Sequence, residues 1–348
     1  MHLLLNPHAA FEACPRRLWR QRKVNILVSS AGRRVELINC FRSDAKALQL
    51  SLRVIAVDLN PEMSSACYAA DKCYRVPHCT SPEFVQELAQ ICREEEIRLV
   101  VPTIDTELQT LADHQQSFHA AGTRVLVSSP SLVRMARDKV ATFRFLTENG
   151  FATPRTVLLT ELLRQPSALN WPVILKPISG SSSVGIFSAE NLDEARLASR
   201  RRNDYVAQEL LRGREYTVNL FFDQAGKLRS AVAHERLEVR AGEVSKGATR
   251  REAELLKIAW RLGSALSGAC GPLCFQAIVP EDGQPRLLEI NARFGGGYPL
   301  AHKAGATFTK WLLEEAAGFP LSADDHWEEG VTMLRYDAAM FRRTKAGT

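Results

Sequence analysis

Polar side chains alternate along one apolar segment in the C-terminal third of the sequence. The segment Arg286–Gly297 reads RLLEINARFGGG and places Glu289, Asn291 and Arg293 two residues apart. In a β-strand, side chains two residues apart share one face. Carboxylate and amide oxygens suit a hard cation such as Mg²⁺, and an arginine can bind a phosphoryl group through two parallel hydrogen bonds. The pattern predicts a face that binds metal and phosphate; the alternative interpretation is the polar face of a half-exposed strand.

A second apolar segment, Pro272–Pro280 (PLCFQAIVP), lies just upstream and has one interior polar residue, Gln276. A turn at Glu281–Gly283 would pair the two segments as a hairpin and bring Gln276 into the row of Glu289 and Asn291. We therefore predict a metal site with Gln276, Glu289 and Asn291 as ligands. Water and phosphate oxygens would complete the shell of a Mg²⁺ ion.

A lysine at the end of an apolar strand precedes a loop of small residues. Pro172–Gly185 reads PVILKPISGSSSVG, so Lys176 is followed by a Gly/Ser loop and then by a short strand, Ile186–Ser188. A lysine and the backbone N–H groups of such a loop can bind phosphates. The loop is not the nucleotide-binding P-loop, because no G-K-[ST] follows and no helix begins there. A flexible linker is the alternative interpretation.

The segment Tyr205–Phe222 has the order of residues that an adenosine pocket needs. It reads YVAQELLRGREYTVNLFF, with a turn at Gly213 between two strands. Backbone groups and Leu210 would contact the adenine, and Glu209 or Glu215 would bind the ribose hydroxyls.

Taken in order, the motifs ILKP, the Gly/Ser loop, QELLxGxE, the FQ strand and LLEINxR resemble those of the ATP-grasp superfamily. The likeness is closest to the halves of the carbamoyl-phosphate synthase large chain and to stand-alone ATP-grasp carboxylate–amine ligases, and it spans roughly residues 24–319. It implies an α/β and α+β fold: an N-terminal doubly wound parallel sheet (the pre-ATP-grasp domain) followed by a two-lobed ATP-grasp fold. ATP would lie between the lobes, with the Gly/Ser loop as a lid.

The resemblance also implies an activity and its cofactors. A ligase of this kind uses ATP and Mg²⁺ (or Mn²⁺) to activate a carboxylate as an acyl-phosphate, which an amine or a related nucleophile then attacks. Two side chains, Lys176 and Arg293, would be catalytic. Gln276 stands where many members carry an acid, although the synthase halves also use Gln. The implied nucleotide-binding residues are Lys139, Lys176, Gly180, Ser181, Ser182, Ser183, Gly185, Gln208, Glu209, Leu210, Leu211 and Glu215.

Strands that alternate with helices from Val24 onward predict the parallel, doubly wound sheet. One of these helices, Pro82–Glu95, is predicted to begin from Ser81 as its N-cap. In residues 1–23 the arginines follow the apolar residues, the reverse of a signal peptide, so we expect a disordered extension. The expected units are then the Rossmann-like pre-ATP-grasp domain (24–129), the small lobe (130–204), the large lobe (205–320) and a C-terminal tail (321–348) that packs back as a strand near Val331–Tyr336.

Composition limits the classes of partner. The net charge of +6 is modest and suits an anionic ligand such as ATP, but it forms no dense basic stripe of the kind a nucleic-acid binder needs. No run approaches the ~20 apolar residues of a membrane span. Eight cysteines in a chain of this length are read as reduced thiols. We therefore expect a cytoplasmic enzyme of small-molecule carboxylate and amine substrates, without nucleic-acid or membrane partners, and we leave room for a homodimer.

The sequence does not identify the acceptor. Three segments are candidates for its pocket: Ser29–Arg34, Pro102–Glu107 and Gly295–Tyr298. Asp105 and Glu107 could bind an amine or could simply begin a helix. Two other functions stay open, a non-catalytic or regulatory ATP-binding protein and an enzyme that forms carbamoyl- or carboxy-phosphate. The chain is one synthase half long and has no glutaminase-like Cys/His pair, which disfavours a self-sufficient carbamoyl-phosphate synthase.

Overall fold

The computed structural model describes residues 22–180, 184–202 and 204–341. Two short 3₁₀ helices, Pro61–Met63 and Pro166–Ala168, accompany the strands and α-helices. The strands are β1 (Lys23–Ser29), β2 (Ser51–Asp58), β3 (Lys72–Arg75), β4 (Leu99–Pro102), β5 (Arg124–Val125), β6 (Thr156–Leu158), β7 (Val173–Pro177), β8 (Phe187–Ala189), β9 (Tyr205–Glu209), β10 (Arg214–Phe222), β11 (Leu228–Arg240), β12 (Glu243–Thr249), β13 (Gly271–Val279), β14 (Arg286–Asn291) and β15 (Thr332–Leu334). The α-helices are α1 (Val35–Ala47), α2 (Ser65–Ala69), α3 (Phe84–Glu94), α4 (Asp105–Asp113), α5 (Gln115–Ala120), α6 (Pro130–Arg137), α7 (Lys139–Glu148), α8 (Leu159–Arg164), α9 (Leu192–Arg201), α10 (Ala253–Ala265), α11 (Tyr298–Lys303) and α12 (Phe308–Ala317).

The N-terminal part is a five-stranded parallel sheet with the strand order β3-β2-β1-β4-β5. Its central strand is apolar on both faces, as expected for a parallel sheet covered on both sides. Leu27 packs into one hydrophobic cluster together with Phe84 of α3. Ile26 and Val28 pack into another together with Phe41 of α1. The prediction of a doubly wound parallel sheet is confirmed.

The predicted start of α3 is wrong. The helix begins at Phe84, and Ser81 is not its N-cap. The chain instead makes a turn in which the N–H of Phe84 donates to the carbonyl oxygen of Ser81, 3.1 Å away, and the Ser81 hydroxyl donates to the Glu83 carboxylate. Because this turn uses the polar groups of Ser81 locally, the helix starts two residues later than the capping pattern indicated.

A six-stranded antiparallel sheet forms the larger of the two remaining layers, with the order β14-β13-β10-β11-β12-β15. Apolar residues on one face of β10 and β13, such as Val218 and Phe275, pack against Leu255 and Leu262 of α10. The strand predicted near residues 331–336 is confirmed, since β15 pairs with β12 at the sheet edge. The C-terminal segment therefore completes this sheet.

A four-stranded antiparallel sheet, in the order β6-β9-β7-β8, forms the smaller layer. We assigned Tyr205–Glu209 to the large lobe, but this strand pairs with both β6 and β7. Because the backbone of β9 is hydrogen-bonded to β6 on one side and to β7 on the other, the chain crosses to the six-stranded sheet only after Glu209. None of the helices among the described residues combines the length and the apolar character that crossing a membrane would need.

Candidate active site

A cavity of about 220 Å³ lies between the four-stranded and the six-stranded sheets. It brings together most of the residues that the sequence predicted to bind nucleotide and metal. These are Lys139, Lys176, Gly180, Gln208, Glu209, Leu210, Leu211, Glu215, Gln276 and Glu289. Gly185, Asn291 and Arg293 do not line the cavity. Ser181, Ser182 and Ser183 lie outside the described residues.

Lys176 projects from β7 into the cavity and is nearly fully buried. Its Nζ donates to Oε1 of Gln208, 2.6 Å away, and Nε2 of Gln208 donates to the Thr156 hydroxyl at 2.8 Å. Burial lowers the pKa of Lys176, while the negative charge of Glu289 acts against that shift. Gln208, which was predicted to bind nucleotide, lines the same cavity, and its side chain also orients Lys176.

Lys139 is the first residue of α7, whose N-terminus is capped by the Asp138 carboxylate. Its backbone N–H donates to the carbonyl oxygen of Ile178 at 3.1 Å, and its Nζ lies 3.4 Å from the carbonyl oxygen of Gly180. Burial lowers the pKa of Lys139, and Glu289 again opposes the shift. In the described part of the chain neither Lys139 nor Lys176 forms an ion pair with a carboxylate. Their charges are therefore available to a ligand.

The predicted metal row forms on the β13–β14 hairpin. Gln276 lies opposite Glu289 in the antiparallel register, and Nδ2 of Asn291 donates to Oε1 of Glu289 at 3.1 Å. That bond leaves the amide oxygen of Asn291 free to accept or to coordinate. The set contains one carboxylate and two amides, and no cluster of three His, Cys, Asp or Glu side chains that could hold a metal occurs among the described residues. The donors fit Mg²⁺ bound partly through ligand phosphates and water.

A β-bulge shapes this row in a way that the alternation of the sequence did not reveal. The pairing shifts between Gln276 and Ala277, which lie opposite Glu289 and Leu287 respectively. Leu288 is the extra residue, so Leu288 and Glu289 both line the cavity although they are neighbours in the chain. Bulges often change the direction of a side chain beside a functional site.

Apolar residues complete the cavity and were missed at the sequence level. They are Ile174, Ile186, Ile278, Leu288 and Val184. Two of them carried a signal, because Ile174 precedes Lys176 by two residues and Ile278 follows Gln276 by two, which places each pair on one strand face. These side chains form the surface that a flat aromatic base would contact. Of the acids predicted for the ribose, Glu215 also pairs with Arg236, with Oε1 2.8 Å from Nε.

Arg293 lies two residues after the end of β14, and only 12% of its side chain is exposed. Its Nη2 donates to the Asp105 carboxylate at 2.6 Å, and its Nη1 donates to the carbonyl oxygen of Phe294 at 3.0 Å. Burial alone would lower the pKa of Arg293, but the charges of Asp105 and Glu289 outweigh it and the pKa is raised. Its Nε has no hydrogen-bond partner in the described part of the chain. Asp105, a candidate for binding an amine, is thus already paired.

Glu107, the other acidic candidate, has a structural role. It is fully buried and accepts hydrogen bonds from the hydroxyls of Ser29 (2.5 Å) and Ser30 (2.9 Å) and from the backbone N–H groups of Thr103 (2.8 Å) and Ile104 (3.2 Å). Burial raises its pKa, although the four donors act in the opposite direction. Glu107 ties the β1 loop to the start of α4, so it has no free face for a substrate.

A second cavity of about 370 Å³ adjoins the first. All three segments that we considered for the acceptor meet around it: residues 30–34, residues 103–104 and residues 294–299. The turn between β11 and β12 separates the two cavities, because Gly242 lines the first whereas Arg240 and Glu243 line the second.

Gly296 and Gly297, beside the second cavity, lie so close to neighbouring side chains that a Cβ would not fit. A Cβ on Gly296 would lie 2.8 Å from Cδ of Glu243, and one on Gly297 would lie 2.6 Å from Nε2 of His234. Burial, together with the charges of Arg236 and Arg335, lowers the pKa of His234 to about 3, so this imidazole is neutral. These two glycines thus let the β14 connection pack directly on β11 and β12.

Two family models match the chain. The model described as "PylC-like, N-terminal domain" matches residues 26–126, and the model described as "ATP-grasp domain" matches residues 136–297. Among curated relatives, the D-alanine–D-alanine ligase of Cupriavidus necator is 27% identical over 239 residues, which cover 60% of this chain and 70% of the relative. The D-alanine–D-alanine ligase of Xylella fastidiosa is 34% identical over 114 residues, or 30% of this chain and 36% of the relative.

Solved structures share the fold. The biotin carboxylase domain of the Hydrogenobacter thermophilus 2-oxoglutarate carboxylase, in complex with MgADP, ADP and bicarbonate, superposes with a TM-score of 0.70 at 16% identity, covering 88% of this chain and 72% of that one. An L-amino acid ligase from Bacillus licheniformis gives 0.64 at 21% identity, covering 85% and 74%. N5-carboxyaminoimidazole ribonucleotide synthetase from Thermotoga maritima gives 0.64 at 18% identity, covering 87% and 78%.

The chain therefore contains an ATP-grasp domain over residues 136–297, preceded by a PylC-like N-terminal domain over residues 26–126. This confirms the predicted family and the predicted fold class. The predicted class of enzyme, an ATP-dependent ligase that uses ATP and Mg²⁺, agrees with the match to the ATP-grasp domain and with the curated ligases. The roles of individual residues stay predictions.

Proposed function

We propose that this chain joins a small-molecule carboxylate to an amine or a related nucleophile in the cavity between its two antiparallel sheets. One observation carries the proposal. The buried Lys176 and the half-buried Lys139, which have no ion-pair partner among the described residues, share this cavity with Gln276 and Glu289 of the hairpin. A polyanion that brings its own cation satisfies both sides at once, and Mg-ATP is such a ligand.

Lysine side chains, backbone N–H groups and apolar side chains would together hold the nucleotide. Lys139 and Lys176 would bind the phosphates, and the backbone of the Gly/Ser loop from Gly180 to Gly185 would close over them. Apolar residues such as Ile174 and Ile278 would contact the adenine, with Leu210 and Leu211 beside them.

The metal would be held by Glu289, Asn291 and Gln276. When bound, Mg²⁺ supplies positive charge to the terminal phosphates as the γ-phosphoryl group departs. Asn291 donates to Glu289, which fixes the orientation of the carboxylate before the ligand arrives. A single carboxylate limits the negative charge of the site, so phosphate oxygens are needed to complete it.

The reaction itself needs positioning more than covalent help from the protein. An oxygen of the substrate carboxylate attacks the γ-phosphorus of ATP and ADP leaves, which gives an acyl-phosphate. The nucleophile then attacks the acyl carbon and inorganic phosphate leaves. Lys176 would neutralise charge on the transferring group, and Arg293, held against Asp105 at 2.6 Å, would also stabilise it.

Turnover distinguishes this proposal from its alternatives. Purified protein is incubated with Mg-ATP and a panel of amino acids and small carboxylates, alone and in pairs, and ADP release is measured. We expect ADP release that needs both a carboxylate and a nucleophile and stops without a divalent cation. ATP binding without ADP release under every condition would favour a non-catalytic nucleotide-binding protein. Release that needs only bicarbonate would favour carboxy-phosphate formation.

We also propose that the enzyme works in the cytoplasm on small molecules, without a nucleic-acid or membrane partner. The modest net charge of +6 and the eight cysteines support this placement. A homodimer is part of the same proposal and is tested by light scattering of the purified chain.

A further inference from the structure

Two cysteines of the N-terminal domain lie in contact, outside both cavities. Cys67 belongs to α2 and Cys73 to β3, and their side chains pack into the same hydrophobic cluster. Both are free thiols, and a hydrogen bond joins them. Two cysteines can form a disulfide without a large backbone movement only when their side chains already meet. This pair meets that condition.

The two thiols differ in exposure and in acidity. Cys67 is only 6% exposed, whereas Cys73 is half-buried and reaches the surface. The hydrogen bond between them lowers the pKa of Cys67 and raises the pKa of Cys73, so the shared proton stays on Cys73. The thiolate is the nucleophile in thiol oxidation and disulfide exchange. The pair therefore combines a thiol that is suited to attack with a thiol that is accessible from solvent.

The helix that carries Cys67 also anchors the turn after β1. The Ser64 hydroxyl and the Ala66 N–H both donate to the carbonyl oxygen of Gly32, at 2.9 and 3.0 Å. Gly32 lines the second cavity. Cys67 is the next residue after Ala66, and its own N–H donates to the Ser64 hydroxyl at 3.2 Å. A displacement of Cys67 would therefore be passed to the Gly32 turn and to the wall of the second cavity.

The strand that carries Cys73 is held more firmly than the helix. Cys73 lies opposite Ala56 in the parallel register with β2. Asp71, just before β3, accepts a hydrogen bond from the N–H of Val54 at 2.7 Å and another from Arg42 at 2.9 Å. In contrast, α2 is only five residues long. Since a disulfide bond is shorter than a contact between two thiols, closing the pair should draw α2 toward β3.

We propose that Cys67 and Cys73 form a reversible disulfide that acts as a redox switch on the second cavity. With hydrogen peroxide as the oxidant, the Cys67 sulfur attacks one peroxide oxygen, the O–O bond breaks and a first water leaves. The Cys73 sulfur then attacks the resulting sulfenic acid, the S–S bond forms and a second water leaves. Two thiols are thus oxidised while one peroxide is reduced to two waters. In a reducing compartment, disulfides of this kind are usually transient or redox-sensing.

Mapping of disulfides tests whether the bond forms. The purified full chain is treated with hydrogen peroxide, digested without reductant and analysed by mass spectrometry. We expect a crosslink between the peptides of Cys67 and Cys73 that dithiothreitol removes, and Cys67→Ser and Cys73→Ser should each abolish it. Cys92→Ser, which removes another buried thiol of the same domain, is the matched control and should form the crosslink as the wild type does. Sulfinic acid at Cys67 without a crosslink, or pairing with other cysteines, would overturn the inference.

Hydrogen exchange on the wild type tests the switch itself, without a variant that has to fold. Oxidation should change exchange in residues 29–34 and 64–71 at least about twofold, while β10 of the large lobe stays unchanged, and dithiothreitol should restore the reduced pattern. A crosslink that leaves exchange in residues 29–34 unaltered would show that the bond is not a switch. Neither measurement needs turnover, so failure here leaves the proposed ligase standing, and a chain without ligase activity would still pass both tests.

Discussion

The two adjoining cavities differ in what their charged side chains lack. In the nucleotide cavity Lys139 and Lys176 have no carboxylate partner among the described residues, and their contacts are to neutral oxygens. In the second cavity Arg34 and Arg335 already face an acid, since Glu243 lies 3.0 Å from Arg335 and 3.6 Å from Arg34. We therefore expect the first cavity to bind a ligand with a large negative charge and the second cavity to bind a ligand whose net charge is close to zero.

The difference shows how one chain keeps two ligands apart. A triphosphate in the second cavity would meet the negative charge of Glu243, and a ligand without net charge in the nucleotide cavity would leave the charges of Lys139 and Lys176 uncompensated. The β11–β12 turn contributes to both walls, so the two ligands would meet beside it.

The largest effect is expected for Glu289→Ala. Glu289 is the single carboxylate of the metal row, and metal charge is needed most as the γ-phosphoryl group leaves. We expect turnover to fall about 100-fold or more, with a much smaller loss of nucleotide affinity. A coupled ADP assay and calorimetry on the same preparation measure both quantities. Glu254→Ala, on the exposed side of α10, is the control; a Glu289→Ala rate near that of the control would mean that the metal binds elsewhere.

Lys176→Met should weaken Mg-ATP binding by about 1.5–3 kcal/mol, the usual value of a hydrogen bond to a charged group. Adenosine should bind with unchanged affinity, because it lacks the phosphates that the lysine would contact. Equal losses for Mg-ATP and adenosine would contradict the placement of the phosphates beside Lys176.

The pH dependence of nucleotide binding follows from the same lysine. Burial lowers the pKa of Lys176, so the wild-type lysine loses its charge at a lower pH than an exposed lysine does. Since the protonated form binds phosphate, Mg-ATP affinity should fall as the pH rises through that pKa, and binding in this range should take up protons. Calorimetry in two buffers of different ionisation enthalpy measures the uptake. It should diminish in Lys176→Arg, and uptake unchanged from the wild type would assign the effect to another group.

A smaller loss, about tenfold in turnover, is expected for Gly185→Val. The backbone of Gly185 has a φ of +76°, and a Cβ there would lie 3.2 Å from Cγ of Pro177. A β-branched residue is strained in this conformation, so the Gly/Ser segment would not close correctly over the phosphates. Hydrogen exchange across residues 177–185 with and without Mg-ATP checks the mechanism. Protection by Mg-ATP is expected in the wild type, and its absence would show that the segment is a linker.

The smallest effect concerns salt. Raising the ionic strength should weaken Mg-ATP binding severalfold, because long-range attraction to the lysines is screened. Binding of adenosine should change less, since this ligand carries no net charge. Comparable salt sensitivity for the two ligands would contradict the contrast in charge.

The sequence predicted the parts of the site that depend on local order along the chain. Strand alternation and a short turn were enough to place Gln276 opposite Glu289. The bulge at Leu288 was not predictable, because it arises from pairing between strands. The partners of Lys176 and Arg293 were not predictable either, since Gln208 and Asp105 come from other elements. The assignment of Tyr205–Glu209 to the large lobe was wrong for the same reason. The order of residues along the chain does not reveal which strands will pair with one another.

The acyl-phosphate is the central claim, and the path of one oxygen atom tests it most directly. Once the panel has identified the carboxylate substrate, it is labelled with ¹⁸O in its carboxyl group and turned over with Mg-ATP and the nucleophile. The products are followed by ³¹P NMR. We predict ADP and inorganic phosphate in equal amounts, with one ¹⁸O atom transferred from the carboxylate to the phosphate. Release of AMP and pyrophosphate, or phosphate without the label, would contradict the account.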